Sequence, residues 1–451
     1  MKDLNTILNA LTEGEDGYTR RTFLTNTGKS ILAATALSSL ASCDTNAQQK
    51  APGSPTDKDI HASSVTEPIE LKEIADPSEK KKEPFPAPEQ PDKRVGFALV
   101  GLGNLTLGEL LPAFGSCKYA KVTALVSGSP EKAKKVARQY GIPDKSIYNY
   151  QNFDNIKNNP DVQVVYIVLP NSMHEEFTIR SANAGKHVLC EKPMSVNSQS
   201  AQRMIDACEK AGKKLMIAYR IQYEPNNQKA KEWTRNKKMG TVKIIDAINT
   251  QNQGEPGQWR LKKALAGGGS LPDIGLYCLN TARYLLGEEP VQVNATIYST
   301  PNDPRFKEVE ETVFFQLQFP SGALANCTTS YGVHESKRYR CHADKGGYFG
   351  LDPAFSYHGL QMEGSQVQDD MEVKINPSAG QKNQFALEMD HMARCVTEDK
   401  KPYTPGEEGL QDHVIMEAIY ESARTGKPVK LKRIDKLDAF RGTVPDQLQI
   451  S

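Results

Sequence analysis

Apolar and polar residues change rhythm several times along this 451-residue chain. From Arg94, RVGFALVGLGNLTLGELLPAF reads as an apolar strand, a glycine turn and an amphipathic helix. KVTALVSGSPEKAKKVARQYGI repeats strand, turn and helix, and QVVYIVLPNSMHEEFTIRSANAGKHVLCEKP gives strand, helix and strand. Apolar, β-branched strands alternating with helices predict a parallel, doubly wound sheet. Beyond about residue 240 the period becomes two. VKIIDAINTQ, VQVNATIYS, ETVFFQLQFP and ALANCTTSYG alternate as half-buried strands do, with a helix expected around 272–286. Such strands predict a mostly antiparallel sheet with one open face, a surface suited to a subunit interface. NQFALEMDHMARCVTE and GLQDHVIMEAIYESART carry a helical period and are expected to pack back on the body.

The residues before Arg94 follow neither rhythm. YTRRTFLTNTGKSILAATALSSLASC sets Arg20 and Arg21 ahead of Phe23, Leu24 and an Ala- and Ser-rich apolar run. It resembles a twin-arginine export signal. The run ends in Leu40-Ala41-Ser42-Cys43, which resembles a lipobox with Cys43 as the lipidated residue. An amphipathic helix with a chance arginine pair is the alternative. The export reading makes residues 1–43 a signal peptide and takes the folded protein through the twin-arginine machinery with its cofactor already inserted. Its lipids then anchor it to the membrane on the periplasmic face. Residues 44–93, including EKKKEPFPAPEQPDK, are too polar to offset the entropy of ordering and read as a disordered tether.

Composition narrows the classes. Lys and Arg number 56 against 55 Asp and Glu, so no strong field favours nucleic acid. The length suits two domains with extensions, and no run of some 18 apolar residues reads as a membrane span. The 8 cysteines include no C-x-x-C pair, which argues against structural zinc. No His, Asp, Glu and Cys cluster has the spacing of a metal site. The seven cysteines after Cys43 form no regular framework, as suits a protein folded in the cytoplasm.

The chemistry begins at GLGN. Gly101 and Gly103, with Leu102 and Asn104 in the same turn, fit the first two glycines of G-x-G-x-x-G. They allow a tight turn and close approach of backbone N–H groups to a pyrophosphate at a helix start. Thr106 takes the third glycine's place, so helix and strand are expected to pack less closely. Ser127 ends the second strand, where NAD sites often carry an acid, and Lys132 follows. A hydroxyl and an ammonium suit a 2′-phosphate that a carboxylate would repel, which favours NADP. Lys132 also reads as one of several lysines on a solvated helix face.

With PNSMH and CEKP following GLG, the chain resembles the Gfo/Idh/MocA oxidoreductases. MIAYRIQYEPNN, QWRLKKALAGGGSLPDIGLYCLN, TARYLLGEEP and PGEEGLQD are similar to segments of their periplasmic glucose–fructose type. The likeness runs from about Val95 to Val429. EKP alone marks the broad family, whereas GGGS-x-x-D-I-G-x-Y with an export signal is more specific. The resemblance implies an α/β Rossmann domain at 94–220 and an α+β domain with a large, mostly antiparallel open sheet at 221–435. A C-terminal tail, 436–451, completes the chain. It also implies a tightly held, non-covalent NADP and a homo-oligomer, dimer or tetramer.

Lys192 ends an apolar strand at the carboxyl edge of the parallel sheet, where ligands of open α/β folds bind. Pro193 restricts it to an extended backbone that aims the ammonium into the cleft. The resemblance puts Lys192 beside the nicotinamide and the reacting sugar oxygen; the alternative is an ordinary strand-end lysine. Asp273 and Tyr277 form D-x-x-x-Y, one face of a helix that Pro272 and the preceding GGGS would start. These glycines are also expected to clear space for a sugar. A cation beside a phenol favours phenolate. Tyr277 is thus expected to exchange a proton, Lys192 to polarise, and Asp273 to position sugar hydroxyls. A buried aromatic with a satisfied hydroxyl is the other reading of Tyr277.

The remaining assignments rest on the resemblance. Leu169, Pro170, Asn171 and His174 would wrap the cofactor, although His174 equally suits a helix start without a ligand. Glu191 would contact the nicotinamide ribose, and Tyr150, Arg220, Trp259 and Arg260 would enclose the dinucleotide. The expected activity is ping-pong hydride transfer by bound NADP. An aldose, glucose, would be oxidised at C1 to the aldonolactone and a ketose, fructose, reduced to the polyol. Another sugar pair, an NAD-dependent glycoside hydrolase and a non-catalytic sugar-binding lipoprotein are the alternatives.

Overall fold

The computed structural model describes residues 93–442 and residue 444; the expected export signal, Cys43 and the expected tether, as far as residue 92, lie outside them. Six strands form the first sheet: β1 (Val95–Val100), β2 (Ala120–Val126), β3 (Ile147–Tyr148), β4 (Val164–Ile167), β5 (His187–Glu191) and β6 (Leu215–Ala218). Their order is β3-β2-β1-β4-β5-β6 and every pairing is parallel. β1 and β4 are buried throughout, as a sheet covered on both faces requires. The order reverses between β1 and β4, opening a crevice at their carboxyl ends. β3, two residues long, is too short to carry a period in the sequence.

Nine strands form the second sheet: β7 (Val242–Asn252), β8 (Gln292–Tyr298), β9 (Thr312–Gln318), β10 (Leu324–Ser330), β11 (Gly332–Ala343), β12 (Gly347–Leu351), β13 (Met362–Gln368), β14 (Met371–Ile375) and β15 (Val429–Lys430). They run in the order β14-β13-β12-β11-β7-β10-β9-β8-β15. All pairs are antiparallel except β7 with β10, where Ile244 lies beside Leu324. This is the expected α/β Rossmann sheet joined to a mostly antiparallel one. The period of two is plain in β9, where Val313, Phe315 and Leu317 are buried and Phe314, Gln316 and Gln318 are exposed. The helices Pro225–Arg235 and Leu276–Leu286 pack together over the inner face. Tyr298, Phe314 and Ile244 stand exposed on strands of this sheet.

A buried ionic cluster ties the helix Leu276–Leu286 to the helix Gly406–Thr425. Arg283 donates to Glu289, Glu408 and Asp412, and Asn280 donates to Glu408 and Asp412. Burial pushes the Asp412 carboxyl up to about 6, against the pull of Arg283. Arg441, from the segment expected as a tail, is buried and donates to the same Glu408. Asp438 accepts from Arg235. The chain is therefore part of the body at these two residues, and Arg283 and Arg441 together hold the buried Glu408 carboxyl below its ordinary value against burial.

Candidate active site

At the crevice, Gly101 has φ +100°, and a Cβ there would collide with the Val168 carbonyl oxygen. Only glycine satisfies both conditions. Gly103 faces open space, with no atom within 4 Å of where a Cβ would stand. Leu102 is buried, and the partly exposed Asn104 follows in the turn. The helix opens with a wide π turn, Thr106–Leu110, in which the buried Thr106 hydroxyl donates to the Gly101 carbonyl at 2.6 Å. The threonine thus takes the third glycine's place by bonding to the turn. Ser127 is buried at the end of β2, and Lys132 Nζ donates to the Leu102 carbonyl at 3.4 Å. A glycine turn open to a groove, with a hydroxyl and an ammonium beside it, fits a phosphorylated dinucleotide. Tyr150 lies against Gly128 and packs edge-on against Phe177 at 5.5 Å, and burial pushes its phenol up.

Leu169 and Asn171 are buried in the loop after β4, around the half-buried Pro170, and Asn171 donates to the Ala266 carbonyl at 2.9 Å. His174 opens the helix His174–Asn183. It is fully buried, with Nδ1 3.0 Å from the Pro193 carbonyl oxygen and Nε2 2.9 Å from that of Leu169. Burial lowers its pKa in spite of these carbonyls, so the ring is neutral. A neutral ring has one N–H, which donates to one of these two carbonyls and holds the ring between the β4 loop and the Pro193–Met194 peptide.

Lys192 leaves the end of β5 and does reach across to Asp273. Its Nζ donates to the Asp273 carbonyl oxygen at 2.9 Å and to Oδ1 at 3.1 Å. It also lies 4.6 Å from the centroid of the Tyr277 ring. Burial pushes the ammonium's pKa down, but Tyr277 and Asp273 outweigh it and the net shift is upward. Asp273 sits in a π turn, Leu271–Gly275, that runs into the helix carrying Tyr277. Its Oδ2 accepts from Arg260 Nε at 3.1 Å and from the Tyr331 hydroxyl at 2.6 Å. Burial raises its carboxyl, yet Lys192 and Arg260 hold it well below the usual carboxylate range. Three side chains therefore already engage the carboxylate that the sequence reserves for sugar hydroxyls. Trp259 lies against Arg260, with the guanidinium carbon 4.6 Å from its ring centroid, a cation–π contact.

Arg220 reaches the Tyr277 side chain. Its Nη2 donates to the Tyr277 hydroxyl at 3.0 Å and the Phe355 carbonyl at 2.6 Å. Glu191 accepts from Tyr166 at 2.8 Å and from the Lys192 backbone at 3.2 Å, and burial raises its pKa. The Tyr166 hydroxyl also lies 3.2 Å from the buried Glu388, whose carboxyl burial pushes well up. The GGGS glycines do not clear space for a sugar. A Cβ on Gly268 would meet the Tyr420 hydroxyl and one on Gly269 the Glu310 backbone. Glu310 binds the N–H groups of Gly269 and Leu271 at 2.8 and 3.0 Å, fixing the turn that presents Asp273.

Tyr331, Tyr166, Glu388 and Glu310 escaped the sequence reading. Tyr331 lies in the quoted ALANCTTSYG, but nothing local marks it as a partner of a residue 58 positions away.

Residues 95–219 match the oxidoreductase family with an NAD-binding Rossmann fold, and residues 231–431 match its C-terminal alpha/beta domain. A D-xylose 1-dehydrogenase (NADP+) of Haloarcula marismortui is 34% identical over 350 residues, 75% of this chain and 94% of that protein. A D-glucoside 3-dehydrogenase of Escherichia coli is 26% identical over 348 residues, covering 74% and 97%. The crystal structure of aldose–aldose oxidoreductase from Caulobacter crescentus complexed with glycerol is similar with a TM-score of 0.72. It is 46% identical and spans 75% of this chain and 100% of that one. With both domain matches falling on the two observed sheets, the chain belongs to the Gfo/Idh/MocA oxidoreductases.

Proposed function

We propose that this chain is an NADP-dependent sugar oxidoreductase that oxidises an aldose at C1 and returns the hydride to a second sugar carbonyl. The observation that carries the reading is a phenol, Tyr277, set between the Lys192 ammonium and the Arg220 guanidinium, with Asp273 holding Lys192. The cofactor and substrate class of the xylose dehydrogenase and the name of the aldose–aldose oxidoreductase support it.

The turn Gly101–Asn104, Ser127 and Lys132 would hold the cofactor. NADP would supply the site for accepting and giving hydride. Tyr277 takes the anomeric hydroxyl proton as the aldose becomes a lactone, and gives a proton to the carbonyl oxygen of the second sugar. Lys192 donates toward the sugar oxygen. Asp273 keeps the lysine charged and in place. Glucose–fructose exchange is the pair expected from the sequence, while the aldose–aldose relative favours an aldose as acceptor. In this reading the leader carries the loaded protein to the periplasmic face and Cys43 anchors it. Free NADP is scarce there, so a second sugar must recycle a tightly held cofactor. The open face of the nine-stranded sheet joins copies of the chain.

Nucleotide freed by denaturing the purified protein identifies the cofactor. Absorbance in the reduced-nicotinamide band should rise with glucose or xylose and fall on adding fructose or a second aldose. Tyr277→Phe should slow turnover by about 10²–10⁴-fold; wild-type rates in that variant would remove the proton role. A conventional dehydrogenase with exchangeable NADP is the second reading, favoured by the xylose relative. It predicts turnover only with added nucleotide.

A further inference from the structure

We infer that Arg220 is a positioning residue for the proton that Tyr277 exchanges, and not a wall of the dinucleotide groove. The inference rests on reading Tyr277 as the acid–base group.

Arg220 opens the short turn Arg220–Tyr223 directly after β6 and is 4% exposed. Its Nη1 donates to the Ser356 carbonyl at 3.0 Å and to Gln384 Oε1 at 2.8 Å. Its Nη2 donates to the Phe355 carbonyl at 2.6 Å and to the Tyr277 hydroxyl at 3.0 Å. Rings of Tyr357, Tyr277 and Phe385 lie around the guanidinium, with centroids 4.4, 5.1 and 5.6 Å from its central carbon. A guanidinium is a rigid planar fork, so fixing three of these acceptors fixes the direction of the fourth bond.

That bond constrains the phenol. A phenol oxygen has one hydrogen to give, and a guanidinium has no acceptor for it. With Arg220 on one side of the oxygen, the Tyr277 hydrogen must point away from the guanidinium. Charge that develops on the oxygen as the proton leaves meets a donor already in place, which needs no reorganisation. Lys192 lies 4.6 Å from the ring itself, so the two cations hold different parts of the phenol. A wall residue would instead offer its planar face or its N–H groups to the groove; here rings lie around the guanidinium, and two backbone carbonyls, Gln384 and the Tyr277 hydroxyl accept from its Nη atoms.

The test is a double-mutant cycle in the intact, cofactor-loaded protein. It compares Arg220→Met, Tyr277→Phe and the pair by kcat, KM, solvent deuterium isotope effect and bound nucleotide per chain. Arg220→Met should lower kcat by about 10²-fold, on the scale of one lost preorganised donor. KM should move little, nucleotide content should stay at the wild-type level, and the isotope effect should rise as the proton step becomes slower. In the Tyr277→Phe background the same substitution should change the rate by less than about twofold, because the two residues act as one unit. Loss of nucleotide in parallel with rate would make Arg220 a groove wall and overturn the inference. Multiplying losses would overturn it too. Tyr277→Phe with wild-type rates removes the underlying reading; a slow Tyr277→Phe beside a normal Arg220→Met removes this inference alone. If Arg220→Met does not fold, Gln384→Leu loosens the fork and leaves its charge. It should lower kcat and raise the isotope effect only while Tyr277 is present, and an unchanged isotope effect overturns the inference.

Discussion

Lys192 and Asp273, 81 residues apart and on different domains, meet with the ammonium 3.1 Å from Oδ1 and 2.9 Å from the backbone oxygen of the same aspartate. The strand end of one domain is thereby joined to the π turn of the other. Both side chains are largely buried, 14% and 16% exposed, so their charges are little screened.

The ionisation of Asp273 should appear in stability against pH. Burial alone would raise its pKa, but Lys192 and Arg260 hold it well below the usual range. A carboxyl depressed in the folded state adds stability above its unfolded pKa, about 3.9. That stability fades as pH falls through the folded value. The difference in unfolding free energy between wild type and Asp273→Asn, from urea titrations, should be level from about pH 5 to 7 and shrink below about pH 4. A difference that stayed level into strong acid would contradict the depression.

Removing Lys192 leaves the buried carboxylate with Arg260 and Tyr331. Lys192→Met should therefore cost roughly 3 kcal/mol of stability, the scale of a broken buried pair. Lys192→Met with Asp273→Leu should cost less than the two single changes added together. Additive costs would mean that the pair is not coupled.

Ser127 stands where a carboxylate would repel a 2′-phosphate. Ser127→Asp should lower the preference for NADP over NAD by about tenfold or more, near 1.4 kcal/mol of differential binding. Nucleotide binding to stripped protein measures it. An unchanged ratio would show that recognition lies elsewhere.

Phe314 is 55% exposed on β9, between Thr296 of β8 and Thr328 of β10. Wild-type protein should sediment as a dimer or tetramer, and Phe314→Glu should shift it to smaller species, because a charge cannot be buried unpaired. A monomeric wild type would refute the sheet-face assembly.

The full chain should partition with membranes, and Cys43→Ala should move it to the soluble periplasmic fraction with its sugar activity intact. Wild-type protein found soluble would end the lipid-anchor reading.

Periodicity and spacing in the sequence settle what depends on neighbours along the chain. Continuous apolar runs make β1 and β4 buried strands, alternation gives β9 its two faces, and D-x-x-x-Y puts Asp273 and Tyr277 near one another on adjoining helical turns. Gly101 is readable because its backbone geometry leaves no other residue possible. The tertiary structure alone decides which acceptor each donor finds. Arg220 goes to a phenol 57 residues away, and His174 lies between two backbone carbonyls. The two-residue β3 and the buried Arg441 belong to the same class. A hydrophobic period records only whether a side chain faces the core. Hydrogen-bond partners follow from how distant elements pack, and buried polar groups then take whatever acceptors that packing brings within reach.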